Sequence, residues 1–132
     1  MTPKRPRPRP AAASCPCGLP EPYEKCCARF HQGAAAPTAE ALMRSRYSAF
    51  AKRDEPYLLR TWHPRTRPPR VDLDPAMRWT GLEILATADG SAFHTSGTVT
   101  FRASFRGGSL HERSRFERVE GAWVYLDGEF LD

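Results

Sequence analysis

Between residues 38 and 63 the apolar positions recur at intervals of three and four residues, which is typical of one face of an α-helix. These positions are Leu42, Met43, Tyr47 and Phe50. Thr38 is a favourable N-cap residue and Glu40 places negative charge in the first turn. We therefore predict a helix that begins after Thr38, with Arg44 and Arg46 outside its apolar stripe.

A second, shorter helix is predicted directly after the first one. Its predicted start is the run Asp54-Glu55-Pro56. The helix is expected to end at His63, because the following Pro64 disfavours a helical conformation in the residue before it.

From Trp79 onward the hydrophobic period changes to two, which indicates β-strands. Alternation over 79–86 places Trp79 on the face opposite Leu82. Gly107-Gly108-Ser109 and Glu120-Gly121 are predicted turns, and they delimit strands over 110–119 and 123–126. Helices followed by an antiparallel meander predict an α+β domain, in which the helices cover one face of a curved sheet and leave an open-mouthed cone.

The charge is concentrated at the N-terminus. The net charge is +5, and four basic residues without an acidic neighbour fall within residues 1–13, so the rest of the chain is nearly neutral. Those residues are Lys4, Arg5, Arg7 and Arg9. Prolines alternate with them, and we expect a disordered tail, with an arm that contacts polyanions as the alternative. The chain has no apolar run of about 18 residues and no secretory segment, so we expect a cytoplasmic protein without a membrane span.

Four cysteines lie within 13 residues in the pattern C-x-C-x8-C-C: Cys15, Cys17, Cys26 and Cys27. Four thiolates suit a closed, structural, tetrahedral zinc site. Two disulfides or four free thiols are the alternatives, and neither is favoured in a reducing compartment with so small a local core. His31 is a rival fourth ligand, with a surface or supporting role as the other interpretation.

This cysteine segment resembles the SEC-C motif, a short zinc-binding tail best known from the bacterial preprotein translocase ATPase. The four cysteines fall on the motif's ligand positions. The segment departs from the motif at 19–22, where Leu-Pro-Glu-Pro replaces the usual small and basic residues. The resemblance implies zinc and a protein partner, but Glu21 reverses the sign of charge on the surface that would bind that partner.

Four further blocks resemble the signature segments of the YchJ-like family of uncharacterised bacterial proteins. They lie at 39–50, 57–64, 78–83 and 110–116. The resemblance implies an N-terminal SEC-C motif at 14–33 joined to a domain like nuclear transport factor 2 (cystatin-like) at 38–128. It identifies a fold and a metal, and no reaction.

The third strand is unusually polar for a central strand. Its alternation carries Glu112 and Ser114 into the cone together with Phe116. A buried carboxylate needs a partner, which Arg44, Arg46 or His63 can supply. Glu112 is then either a general base or ligand clamp, or one half of a structural salt bridge.

Three aromatic residues, Tyr47, Trp62 and Trp79, either line a pocket in the cone or belong to the plain core. His63 is a candidate general acid or base at the mouth, with a helix-capping role as the alternative. We expect a module that binds a small ligand or a protein partner, as a monomer or weak homodimer. A small-molecule enzyme of the isomerase or dehydratase type is the second hypothesis, and the third is nucleic-acid or ribosome association through residues 4–9 and the basic loop at 65–70.

Overall fold

The computed structural model describes residues 14–131, so the predicted basic tail of residues 1–13 lies outside the described residues. A 3₁₀ turn at Tyr23–Lys25 precedes three helices and four strands. The helices are α1 (Cys27–His31), α2 (Ala39–Lys52) and α3 (Glu55–Arg60), and the strands are β1 (Trp79–Asp89), β2 (Ser96–Phe105), β3 (Gly108–Val119) and β4 (Ala122–Phe130).

A side-chain cap begins each of the two helices α2 and α3, which start where the sequence predicted. The Thr38 hydroxyl accepts a hydrogen bond from the Ala41 N–H at 3.0 Å. The Asp54 carboxylate does the same for the Tyr57 N–H at 3.2 Å. Each cap satisfies a backbone donor that has no partner inside the helix, which fixes where α2 and α3 begin.

The four strands form one antiparallel sheet in the order β1-β2-β3-β4. Val119 pairs with Ala122, and both Glu120 and Gly121 between them have positive φ angles, of 52° and 84°. This is the type I′ geometry that matches the twist of a hairpin. The predicted fold class, helices packed on a four-stranded antiparallel meander, is confirmed.

The prediction for β1 is wrong in one respect, namely the face of the sheet on which Trp79 lies. The register shifts between Trp79, which pairs with Phe105, and Gly81, which pairs with Ser104. This bulge adds one residue to β1 and returns Trp79 to the same face as Leu82, because one extra residue reverses the alternation. Trp79 therefore packs against the core with Leu82 and Ile84.

The main core lies between α2 and the inner face of the sheet. Its largest buried members are Leu42, Met43, Tyr47, Phe101, Phe116 and Trp123. A second cluster joins all three helices through Phe30, Ala49, Tyr57 and Leu58. Helix α2 contributes to both clusters, so it is the element that connects the N-terminal segment to the sheet domain.

Within residues 14–131, no helix is both long enough and apolar enough to cross a membrane.

Candidate metal centre and ligand cavity

The four cysteine sulfurs converge on one point. All of them lie within 4.8 Å of one another, all four residues are buried, and none forms a disulfide. Two of the cysteines sit on a loop that the Cys15 N–H closes on the Glu21 carbonyl at 2.8 Å. The other two lie at the start of α1. Residues 14–33, which we call the knuckle, thus bring together the ligand set predicted from the sequence.

The geometry of this cluster fits a tetrahedral metal ion. With metal–sulfur bonds of about 2.3 Å, tetrahedral sulfurs lie about 3.8 Å apart. The sulfurs of Cys17 and Cys26 are 3.6 Å apart. Gly18 follows the second cysteine with a φ of 96°, which favours glycine at this turn. The four thiols can therefore hold one metal ion without rearranging the backbone.

The metal-free thiols hold their protons unequally. Hydrogen bonding from Cys27 lowers the pKa of Cys17 to about 5. The same hydrogen bond raises the pKa of Cys27, and burial raises the pKa of Cys26 to about 12. One sulfur therefore ionises readily while its neighbours retain protons, and a bound cation would displace those protons because thiolates are the ligands.

The knuckle docks on one side of α2. Arg44 donates from Nη1 to the Cys17 carbonyl at 2.7 Å and from Nε to Glu40 at 3.0 Å. The Ser48 hydroxyl lies 3.5 Å from the Cys15 sulfur. Arg44, which we predicted as a residue of the pocket and as a partner for Glu112, therefore belongs to the metal centre instead. Its side chain points to the knuckle because it shares a helix face with Ser48, four residues later.

His31 lies outside the sulfur cluster, so the alternative in which it is the fourth ligand is not supported by its position. Its Nε2 lies 2.8 Å from the Ser45 carbonyl and its Nδ1 lies 2.6 Å from the Tyr23 hydroxyl. A carbonyl only accepts, so Nε2 donates and Nδ1 accepts from Tyr23. The ring also stacks on Tyr57, with a centroid distance of 4.5 Å. His31 thus fastens the knuckle to α2.

A cavity of about 200 Å³ lies between α2 and the sheet. Its wall is mostly apolar and aromatic, with a few polar side chains. Five of the residues predicted for the pocket line it: Tyr47, Trp62, Trp79, Glu112 and Ser114. The cavity also takes in seven residues that the sequence did not assign to a pocket, and Arg46 and Tyr125 are the two of these with polar side-chain groups.

The prediction that placed Arg46 outside the apolar stripe of α2 is wrong, because this residue is buried and only 3% exposed. Its Nη1 donates to the Leu58 carbonyl at 2.8 Å and to the Thr61 hydroxyl at 2.7 Å. The guanidinium lies between two rings, 5.1 Å from the centroid of Trp62 and 4.7 Å from that of Tyr125. These contacts replace solvation, so the helix tolerates a buried cation on this face.

The charge of Arg46 has no direct counter-ion among residues 14–131, where no carboxylate oxygen lies within 4.0 Å of the guanidinium. Burial lowers its pKa to about 10, so the group still carries its charge at neutral pH. Two of its five N–H groups are used by Leu58 and Thr61. The Nε–H and both Nη2–H groups have no acceptor in the described part of the chain.

Glu112 is held by a hydroxyl and not by a salt bridge. The Ser114 hydroxyl donates to Glu112 Oε2 at 2.7 Å, and both residues line the cavity as predicted. Across the β3–β4 pair, Gly128 lies against this carboxylate, and a Cβ at Gly128 would overlap Glu112 Oε2. The predicted ion pair with Arg44, Arg46 or His63 is absent among the described residues, because each of those groups has other partners.

Two further polar groups of the cavity wall have unusual surroundings. The indole N–H of Trp62 is the one side-chain nitrogen or oxygen among residues 14–131 that is wholly shielded from solvent and lacks a hydrogen-bond partner. Such a group costs about 1–3 kcal/mol. Burial raises the pKa of Tyr125 to about 12, so its hydroxyl stays protonated and can donate at neutral pH.

His63 does not line the cavity. Its Nδ1 accepts from the Arg65 N–H at 3.0 Å, and its Nε2 lies 3.3 Å from Glu117 Oε1. The backbone of His63 also donates to the Tyr125 carbonyl at 2.7 Å. None of these three contacts is made to α3, whose C-cap residue is Thr61, so they do not support the helix-capping interpretation of His63. They join His63 to the following turn, β3 and β4, and its ring lies outside the cavity wall.

The sequence carried only a weak signal for the residues that it missed. Arg46 lies one residue before Tyr47 on α2, so a broader apolar sector would have included it. Tyr125 lies two residues after Trp123 on β4, so both side chains are on the inner face of the sheet, and Tyr125 pairs with Phe116 of β3. Alternation along β4 was therefore the signal that could have placed Tyr125 in the cone.

Known proteins resemble the chain over nearly its whole length. A family model described as the YchJ middle NTF2-like domain matches residues 38–128. A UPF0225 protein of Streptomyces coelicolor is 83% identical over 119 residues, which cover 89% of this chain and 96% of the relative. Another, of Streptomyces avermitilis, is 75% identical over 129 residues, covering 97% of this chain and 92% of the relative.

Two solved structures resemble the fold. The solution structure of a SEC-C motif containing protein from Rhodopseudomonas palustris has a TM-score of 0.77 and 35% identity, and the match covers 89% of this chain and 98% of that one. The crystal structure of a SEC-C motif containing protein from Psychrobacter arcticus has a TM-score of 0.72 and 29% identity, covering 86% of this chain and 80% of that one.

Proposed function

The chain belongs to the uncharacterised UPF0225 family and carries the YchJ middle NTF2-like domain; from that premise we propose that it is a small-ligand binding protein whose knuckle is held by one structural zinc ion. The observation that carries the proposal is the cavity, in which a buried guanidinium without a direct ion pair among the described residues faces a largely aromatic wall. Ligand sites in proteins are concave and largely apolar, with a few polar groups that orient the occupant.

Zinc is the metal that the donor set favours. Four thiolates suit zinc or an iron–sulfur centre, and sulfurs that all lie within 4.8 Å of one another match a single ion. When bound, zinc would supply folding free energy to a segment with little core of its own. Replacing zinc by cobalt should give the intense visible absorption of a tetrahedral tetrathiolate, and an octahedral spectrum would contradict this assignment.

The three other functions considered from the sequence have less support. A protein partner is suggested by the SEC-C motif named in the structural neighbours, but no described surface identifies one. Residues 4–9, on which the nucleic-acid hypothesis relied, lie outside the described residues. In the basic loop, Arg67 donates two hydrogen bonds to the carbonyl of Trp62. This arginine therefore supports a residue of the cavity wall.

An enzyme is the second candidate, and the position of Glu112 favours it. This carboxylate lines the cavity, accepts one hydrogen bond from Ser114, and forms no ion pair among the described residues. A carboxylate so placed can act as a general base on a bound molecule. Under this candidate, Glu112→Gln should retain ligand binding and thermal stability while abolishing turnover of the bound compound.

The ligand-binding proposal can be tested with four one-ring probes: toluene, benzamide, benzoate and benzamidinium. We expect at least one to cause saturable amide chemical-shift changes, confined to residues that line the cavity. Leu110→Trp should abolish these changes, since Leu110 lines the cavity. Leu85→Trp is the matched control, because Leu85 is 43% exposed on β1 and lies outside the cavity wall.

Two results would contradict the proposal. One is the absence of saturable changes with all four probes. The other is an unchanged response in Leu110→Trp, which would place the binding elsewhere on the molecule.

A further inference from the structure

The cavity contains one cation and one anion. Arg46 and Glu112 both line it, and they are close enough for the carboxylate to stabilise the charged guanidinium, yet no nitrogen–oxygen distance between them falls within 4.0 Å. The two groups therefore leave room between them for part of an occupant. A ligand in this position meets donors on one side and an acceptor on the other.

This pair of charges selects against charged ligands. An anion beside Arg46 would also face Glu112, and a cation beside Glu112 would face Arg46. Either ion therefore meets a like charge, whereas a neutral group that both accepts and donates hydrogen bonds satisfies each partner. The three free N–H groups of Arg46 require an acceptor, and the free lone pairs of Glu112 require a donor.

An external cation also finds no free aromatic cage at this end of the cavity. The rings of Trp62 and Tyr125 already flank the guanidinium of Arg46, at 5.1 and 4.7 Å. The protein's own arginine therefore occupies the position that a ligand ammonium group would take. The other aromatic residues of the wall, which include Tyr47 and Trp79, remain available to contact the apolar part of a ligand.

The size of the cavity limits the apolar part of the ligand to a single ring. At about 200 Å³ it is smaller than the roughly 300–1,000 Å³ of pockets for drug-sized ligands. We infer that the ligand is a neutral aromatic amide or lactam, whose carbonyl accepts from Arg46 and whose N–H donates to Glu112, with its ring against the aromatic wall. This inference rests on the proposed ligand-binding function and specifies the chemical class that binds.

Three probes of nearly identical shape separate the alternatives. Benzamide, benzoate and benzamidinium differ in charge while keeping the same ring and planar substituent. We expect benzamide to bind at least about tenfold more tightly than either ion, because each ion meets one like charge. Toluene should also bind more weakly than benzamide, since it leaves Arg46 and Glu112 without partners. Dissociation constants from amide chemical-shift titrations of the full chain measure this order.

Glu112→Gln provides an internal check, because it removes the negative charge and keeps the size of the side chain. Benzoate should then bind at least about tenfold more tightly than it does to the unaltered chain, since only Arg46 remains charged. Benzamidinium should not gain affinity. The thermal midpoint of the variant, measured alongside, shows that the chain is folded in the titration.

The outcomes distinguish the inference from the proposed function. If benzoate or benzamidinium binds in the cavity more tightly than benzamide, the ligand class is wrong and the binding function stands. If toluene is the tightest ligand, the polar pair does not select the occupant and the inference again fails. If none of the four probes binds, both the inference and the proposed function are overturned.

Discussion

The polar chemistry of the cavity depends on how a single residue, Glu112, is positioned. Its carboxylate is oriented by the Ser114 hydroxyl at 2.7 Å and is packed against Gly128 on the neighbouring strand. No side chain fits between that strand and the carboxylate. Gly128 therefore acts as a positioning residue for Glu112, although it contacts no occupant itself.

We predict that Gly128→Ala weakens benzamide binding by about tenfold, because the new methyl group displaces the carboxylate and costs one hydrogen bond to a charged group. The displaced atom is the end of a flexible side chain, so the thermal midpoint should change little. Gly81→Ala is the matched control, since a Cβ at Gly81 meets no atom within 4 Å. Equal affinities in the two variants would argue against this role for Gly128.

At His31 we predict a loss of stability without a loss of metal. His31→Phe keeps the ring but removes the contacts with the Tyr23 hydroxyl and the Ser45 carbonyl, leaving both without that partner. The free energy of unfolding should fall by about 1–3 kcal/mol, while metal analysis still finds one ion per chain. His94→Phe, on an exposed turn, is the control. A variant of His31 that folds without metal would restore the histidine-ligand hypothesis.

At the scale of elements, two faces of α2 contact different parts of the molecule. Arg44 and Ser48 face the knuckle, and the buried hydroxyl of Ser45 contacts Tyr57 of α3. Arg46 and Tyr47 face the cavity. The sequence predicted the start of this helix and its apolar stripe from caps and periodicity. It did not predict that these two serines are buried, because small polar residues carry no signal for burial until their partners are known.

Strand β1 illustrates the other limit of sequence analysis. The strand itself followed from alternation, as did the placement of Glu112 and Ser114 in the cone on β3. The face of the sheet on which Trp79 lies did not follow from alternation, because the bulge at Gly81 is fixed by pairing with β2. Local patterns therefore predict which elements form, while the faces near a bulge depend on the neighbouring strand.

The outer face of β3 and β4 should give a pH-dependent contribution to stability. Hydrogen bonds from Arg115 hold the pKa of Asp127 below its usual range. A carboxyl group whose pKa falls on folding stabilises the protein above its unfolded pKa of about 4, and loses this effect as pH drops through the folded value.

Asp127→Asn should therefore lower the free energy of unfolding at pH 7, with a difference from the unaltered chain that shrinks below about pH 4. The effect should be small, since both side chains are largely exposed and screened. Urea titrations across this pH range measure it. In an Arg115→Gln background the same substitution should have little further effect, and a full additive effect would show that another group controls the pKa.

At the scale of the whole molecule, the chain joins two parts that stabilise themselves differently. The sheet domain has its own core, whereas the knuckle buries chiefly its cysteines and depends on contacts with α2. The spacing of the cysteines was sufficient to predict the ligand set, because four donors so close in sequence need little tertiary context. The role of Arg46 was not predictable in this way, since its burial depends on Trp62 and Tyr125 from two other parts of the chain.

Metal bound at the knuckle is the claim on which this organisation depends. In small zinc modules the ion supplies on the order of 10 kcal/mol of folding free energy. Removing it should release residues 14–33, while β1 to β4 keep their slow amide hydrogen exchange, because their core lies elsewhere.

The most direct test is the metal content of the purified chain, measured together with the number of thiols that react under native conditions. The account predicts about one zinc ion per chain and four thiols that become reactive only when a chelator is added. A folded chain that contains no metal and has four reactive thiols would contradict it.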